Sequence, residues 1–130
     1  MKKLFIILLI ALIIIFLALK STYDLGYFYG NDSYTKLEIR NGKTGSLIVV
    51  TKPEVVNNFI NQTRNLRIIK VHSLSSTNKV GFTYFIDFYN NDYKKLRITF
   101  LGGNVTINDH KFYLLNGVSK IDEFINSQQE

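Results

Sequence analysis

Residues 82–114, FTYFIDFYNNDYKKLRITFLGGNVTINDHKFYL, decide the fold, because apolar and polar side chains alternate through them with a period of two. Placing 82–89 against 93–101 across the three-residue loop Asn90-Asn91-Asp92 sets Ile86 against Leu96, Tyr84 against Ile98 and Phe82 against Phe100. A two-residue loop would set Asp87 against Leu96 and mix the faces, so strict alternation argues against it. Gly102-Gly103 makes the next turn and brings Phe100 beside Val105 and Ile98 beside Ile107. A turn at Asp109-His110 then brings Phe112 to Ile107 and Leu114 to Val105. Three turns that agree on one apolar face predict a four-stranded meander.

Outward from this core, Thr35–Asn41 alternates with Leu37 and Ile39 inward, and Ser46–Thr51 follows with Ile48 and Val50 across the loop 41–45. Thr51 reads as an N-cap with Glu54 completing a capping box, and Pro53 suits the first turn, where its missing donor costs nothing. Val55, Val56, Phe59 and Ile60 share one face of that helix. Leu66–Ser73 is a further strand, followed by the polar loop 74–79. Ser119 and Asp122 read as a second capping pair ahead of the stripe Ile121, Phe124, Ile125. The fold class is α+β: one two-layer domain, an antiparallel sheet made of a hairpin plus about five strands, covered on one face by two helices. The order of elements resembles cystatin-like or TATA-binding-protein-like helix-on-sheet topologies as architecture, and neither function follows from it.

The N-terminus is of a different kind. Leu4–Leu19 is sixteen consecutive apolar residues with no polar face, which predicts a transmembrane helix and leaves little room for a soluble core helix. The run rises about 24 Å, slightly short of the roughly 30 Å hydrocarbon core, so Lys3 and Lys20 are expected to snorkel and the bilayer to thin locally. Lys2, Lys3 and the amino terminus precede it, so the positive-inside rule keeps the N-terminus inside and exports the rest. No small-residue cleavage pattern surrounds Ala18–Thr22, which favours a retained anchor over a cleaved signal and secretion. The expected layout is an anchor or signal segment at 1–20, a Tyr- and Gly-rich juxtamembrane linker at 21–33 with Tyr23, Tyr27, Phe28 and Tyr29 in the headgroup zone or packed on the domain, and an extracytoplasmic domain at 34–130.

Composition narrows the chemistry. With no Cys there is no disulfide, thiolate metal site, cysteine nucleophile or lipid-modified cysteine. The net charge is +6, but without the three lysines flanking the apolar run 13 basic against 10 acidic residues leave +3, which does not indicate a nucleic-acid partner. His72 and His110 have no accompanying nucleophile or carboxylate motif, and Gly102-Gly103 precedes no helix, so neither a catalytic constellation nor a phosphate cradle is recognisable. No metal, cofactor or enzymatic activity is expected. Three glycosylation sequons, at Asn31, Asn61 and Asn104, are what so Asn-rich a chain produces by chance. The Met1-Lys2-Lys3 start and the 13 Asn, 16 Ile and 12 Lys against two Ala resemble the small membrane-anchored or secreted proteins of unknown function from low-GC Gram-positive bacteria. That resemblance implies an envelope location and transfers no site residue.

The polar face of the meander is the candidate contact surface. Phe85, Tyr93, Lys95, Arg97, Lys111 and Tyr113 mix cations with aromatics and suit an envelope protein or an anionic polymer. The plainer reading is a solvated sheet face with Asp87 and Lys95 as a cross-strand ion pair. Phe85 stands out as a large apolar side chain amid polar ones, and the derived register places Phe85, Arg97, Asn108 and Lys111 in one row. Arg97 and Lys111 are expected to be replaceable without loss of the fold. The sequence points to an extracytoplasmic binding or accessory module; the alternative is a tethered immunity or inhibitor protein directed at a toxin or envelope enzyme.

Overall fold

The computed structural model describes residues 1–20, 22–71 and 83–129. His72, the loop 74–79 and Phe82, each singled out above, lie outside the described residues. The protein is of mixed α+β class, and its described residues build one eight-stranded antiparallel sheet. In chain order the elements are α1 (Lys2–Lys20), β1 (Thr22–Asp24), α2 (Leu25–Tyr29), β2 (Lys36–Asn41), β3 (Leu47–Val50), α3 (Pro53–Thr63), β4 (Arg67–Lys70), β5 (Thr83–Asn90), β6 (Tyr93–Leu101), β7 (Asn104–Ile107), β8 (His110–Leu114) and α4 (Val118–Ser127). Across the sheet the order is β1-β4-β8-β7-β6-β5-β2-β3.

One face carries the core. Leu37, Ile39, Ile86, Phe88, Ile98, Phe100, Val105 and Ile107 are buried on it, and Val56, Phe59, Ile121 and Ile125 meet them from α3 and α4. The faces are those the alternation predicts except before the β6 bulge, where Tyr93 pairs with Asn90 and leaves the polar face expected for it while Lys94 takes its place beside Tyr89, and two registers differ by two residues. Ile86 pairs with Ile98 and Tyr84 with Phe100, because the β5–β6 loop has two residues, Asn91 and Asp92, and Asn91 adopts φ 53°. Alternation argued against such a loop; a bulge makes it possible. Tyr89 faces Lys94 while Phe88 faces Leu96, so Lys95 is the extra residue that returns both strands to their proper faces. Asp87 therefore pairs with Arg97 and not with Lys95. The β7–β8 turn is Asn108-Asp109, both with positive φ, which brings Val105 to Phe112 and Ile107 to His110. The Gly102-Gly103 turn and its pairs, Phe100 with Val105 and Ile98 with Ile107, are as predicted.

Both helix starts differ from the expected capping pairs. The cap of α3 is Lys52, whose carbonyl accepts from the N–H groups of Val55 and Val56, and Pro53 opens the helix. Gly117, at φ 73°, precedes α4, and a Cβ there would collide with the Leu66 side chain, so this position needs glycine on both counts. Asp122 is free to accept from the Tyr84 hydroxyl at 3.0 Å.

The segment expected to be a linker belongs to the domain. Thr22, Tyr23 and Asp24 pair with Ile69, Ile68 and Arg67. Leu25 and Tyr29 are 0% and 1% exposed, and the Tyr29 hydroxyl lies 2.7 Å from Thr63 Oγ1. Tyr34 closes the turn by donating to the Tyr29 carbonyl at 2.9 Å. Of the four side chains expected near headgroups, Tyr29 is in the core, Tyr23 and Phe28 are half-buried and Tyr27 is exposed.

The expectation of a complete transmembrane span at 4–19 is not supported. Among the described residues no helix is long and apolar enough to cross a membrane. The helix itself is present as α1, and every side chain described in it, from Lys2 to Ala18, is exposed.

Two outcomes test this architecture. Ile98→Ala, at a wholly buried position, is expected to destabilise residues 22–130 by roughly 2–4 kcal/mol in urea unfolding, whereas Lys95→Ala, on the exposed bulge, costs under about 0.5. A chain beginning at Thr22 is expected to unfold cooperatively. One beginning at Tyr34 forgoes the burial of Leu25 and Tyr29, on the order of 3–6 kcal/mol for two large side chains, and loses its sharp transition.

Candidate functional site

The face of the sheet opposite the helices is built from the alternate residues of the same strands. Glu38 and Arg40 of β2 point there because Leu37 and Ile39 point to the core, and pairing with β5 sets Glu38 against Asp87 and Arg40 against Phe85. Two carboxylates directly opposite one another repel, and the surrounding cations remove that cost. Arg97 grips Asp87 with two parallel bonds, Nε to Oδ1 at 2.6 Å and Nη2 to Oδ2 at 2.7 Å, and Lys94 Nζ reaches Oδ2 at 3.2 Å. Lys36 Nζ lies 3.0 Å from Glu38 Oε1, and the Tyr89 hydroxyl donates to Oε2 at 3.1 Å. Lys36 also sits 4.1 Å from the centre of the Tyr89 ring, a cation–π contact that ties the two halves together.

Asp87 is 7% exposed although it lies on the open face. Burial opposes its charge, yet hydrogen bonds from Arg97 and Lys94 outweigh burial and hold the carboxyl below the usual carboxylate range. The Lys36 hydrogen bond, with that from Tyr89, likewise holds Glu38 down. Both carboxylates stay charged at neutral pH, so neither is poised to deliver a proton. Their oxygens are occupied by neighbours, and what the face offers a ligand is cationic side-chain ends and apolar surface.

That surface has a definite shape. A concavity of about 440 Å³ is lined by Arg40, Leu47, Phe85, Asp87, Lys94 and Arg97 among others. Leu47, Arg40 and Phe85 of its lining begin a cross-strand row that continues beyond it through Thr99, Thr106 and Lys111 on successive strands. This row replaces the one expected from sequence, because the two-residue register shift moves Arg97 and Asn108 off the Phe85 line. Leu47 and Val49 are 46% and 50% exposed beside it. A second concavity of about 440 Å³ lies on the far side between α3 and α4, lined mainly by polar side chains such as Asn58, Gln62 and Glu123.

The residues picked from sequence divide into three groups. Phe85 and Arg97 line the concavity, Phe85 half-buried and Arg97 committed to Asp87. Lys111 and Tyr113 are exposed on β8, with Lys111 at the far end of the Phe85 row and Tyr113 beside Gly103. Tyr93 and Lys95 are exposed at the β5–β6 turn, away from that row. Sequence reasoning left out Glu38, Arg40, Leu47 and Lys94. The first two were legible as the polar half of the β2 alternation, but only the β2–β5 pairing brings them to Phe85. Among the described residues no group of three His, Asp or Glu side chains is gathered that could hold a metal ion. Comparison of the chain with protein-family models, curated proteins and solved structures finds no match in any of the three.

Arg97 is not the dispensable surface cation the sequence suggested. Arg97→Ala is expected to cost about 1–3 kcal/mol, because it leaves a buried carboxylate short of its two best donors. Folding lowers the Asp87 pKa, so its contribution is complete above the ordinary carboxylate range and is lost as pH falls through the depressed folded value. Urea midpoints measured across the acid range are expected to fall steeply for the wild type. Asp87→Asn is expected to be less stable at neutral pH and to show a shallower acid loss.

Proposed function

We propose that the chain is a membrane-anchored, extracytoplasmic binding or accessory module whose contact surface is the open sheet face centred on Phe85. The observation that carries this reading is the Phe85 row. A half-buried aromatic has Arg40 on one side, with exposed Leu47 beyond it, and Thr99 on the other, and the row ends at Lys111, on a strand scaffold that the fold does not require to be apolar there. Aromatic anchors with cations at the margin are the side chains that interfaces concentrate, and the cations suit an acidic protein surface or an anionic envelope polymer.

The anchoring half of the proposal rests on α1. An all-apolar helix with its side chains exposed on every side is not stable in water, and a bilayer satisfies it without a polar face. Its apolar length of about 24 Å calls for local thinning of the hydrocarbon layer, a modest cost per ångström. Lys2 and Lys3 hold the N-terminus on the cytoplasmic side, which sends the domain outward.

The full-length protein is expected to stay in the membrane fraction through a carbonate wash, with its domain digested by protease added to intact cells. A photo-cross-linking residue at Thr106 is expected to capture an envelope component that the same residue at Asn58, on the helix side, does not. Mature protein in the medium beginning near Ser21 would reject the anchor, and equal capture from both positions would reject the face. A captured toxin or envelope enzyme whose activity falls on binding would move the reading to a tethered inhibitor.

A further inference from the structure

We propose that the β1 edge of the domain docks on the phosphodiester headgroups of the bilayer that holds α1, using Tyr27 and the guanidinium groups of Arg64 and Arg67; this rests on the insertion of α1 proposed above. The first ground is connectivity. One residue separates Lys20 of α1 from Thr22 of β1, and the Thr22 hydroxyl donates to the Ala18 carbonyl of the last helical turn at 3.3 Å. A residue spans at most about 3.6 Å, so a helix ending at the hydrocarbon boundary places β1 among the headgroups with no spacer.

The second ground is what that edge carries. β1 is the terminal strand and among the described residues pairs with β4 alone, and where it runs into α2 lies a groove of about 420 Å³ lined by Tyr23, Asp24, Gly26, Tyr27, Arg64 and Asn65 among others. Tyr27 is 71% exposed, although its ring is held at 5.6 Å from Tyr23 and 5.2 Å from Phe28. Phe28 in turn rests against buried Phe112 at 5.2 Å, so an exposed aromatic is mounted on the core. A ring with an apolar body and a polar tip is what the membrane interface favours.

The third ground is charge. The stem of Arg64 lies over Gly26, where a Cβ would come within 2.5 Å of its Cγ, and its exposed guanidinium makes no ion pair among the described residues. Arg67 is exposed and only 4.0 Å from its partner Asp24, and Lys70 is exposed on the same strand. The two guanidinium groups beside the carboxylate of Asp24 leave the edge a cationic excess that matches anionic headgroups. Headgroup cover also protects the unpaired backbone groups of an edge strand from pairing with another chain.

The chain contains no Trp, so one introduced indole reports alone. The full chain carrying Tyr27→Trp is reconstituted into phosphatidylcholine vesicles with added phosphatidylglycerol, and compared with Tyr93→Trp, whose site is 75% exposed at the β5–β6 turn. Emission from Tyr27→Trp is expected to shift to the blue and to be quenched by lipids brominated near the headgroup, while Tyr93→Trp reports water. Adding Arg64→Ser and Arg67→Ser is expected to weaken docking by on the order of tenfold, with the protein still floating with the vesicles. Flotation with a Tyr27→Trp spectrum like that of Tyr93→Trp would overturn the docking and leave the anchor standing; failure to float would overturn both. Inorganic phosphate added to the detergent-solubilised chain is expected to leave the emission unchanged. An equal shift there would overturn the bilayer surface in favour of a free-anion site.

Discussion

Phe88 is where the layers of the domain meet. It is wholly buried on β5, with the rings of Tyr29 and Tyr34 each 5.3 Å away and Phe59 of α3 at 6.1 Å. Phe59 passes the contact to Phe124 of α4 at 4.7 Å. Three helices thus share one aromatic cluster over one strand, each ring contact adding to the burial that already stabilises the core. The position of Phe88 depends on the bulge beside it: with one residue fewer at Lys95, Phe88 and Leu96 could not face each other on the helix side. The same bulge sets Asp87 opposite Arg97 on the other face. One additional residue in β6 therefore arranges both the core contact and the buried ion pair.

The open face combines structural and recognition chemistry, and the two are separable by row. Arg97 and Lys94 join β6 to Asp87 of β5, and Tyr89 of β5 joins Glu38 and Lys36 of β2. Arg40, Phe85, Thr99, Thr106 and Lys111 form the neighbouring row and are outside those ion pairs. Among the described residues Arg40 makes a long bond to the Gly45 carbonyl at 3.4 Å.

Which side a strand residue faces was legible because the alternation has period two, except at Tyr93 and Lys94, whose sides the bulge at Lys95 exchanges. Register was not, for the same reason: a shift of two residues leaves the alternation unchanged, so Ile86 fits Leu96 as well as Ile98 on pattern alone. Turn chemistry broke the tie, through Asn91, Asn108 and Asp109 in left-handed conformations that a pattern of apolar residues does not register. The stripes of α3 and α4 were legible from Val56, Phe59 and Ile60 and from Ile121, Phe124 and Ile125, all buried. β1 and α2 were not. A strand of three residues has too few positions to show a period, and its partner β4 lies more than forty residues further along the chain. Half of the candidate site was hidden similarly, since Arg40 and Leu47 reach Phe85 only through the pairing of β2 with β5.

The strand order places the ends of the sheet early in the chain and its middle late. β1 occupies one edge, β2 and β3 the other, and the meander β5–β8 with β4 fills the space between them. Neither edge has its neighbour until residues 67–70 and 83–90 exist, and Phe59 waits for Phe124 from the last helix. No N-terminal fragment can close a core of its own. A chain made from its N-terminus thus completes its core only once β5 to β8 and α4 exist, because the local hairpins β2–β3 and β5–β8 are joined into one sheet by the distant pairings of β2 with β5, β4 with β8 and β1 with β4.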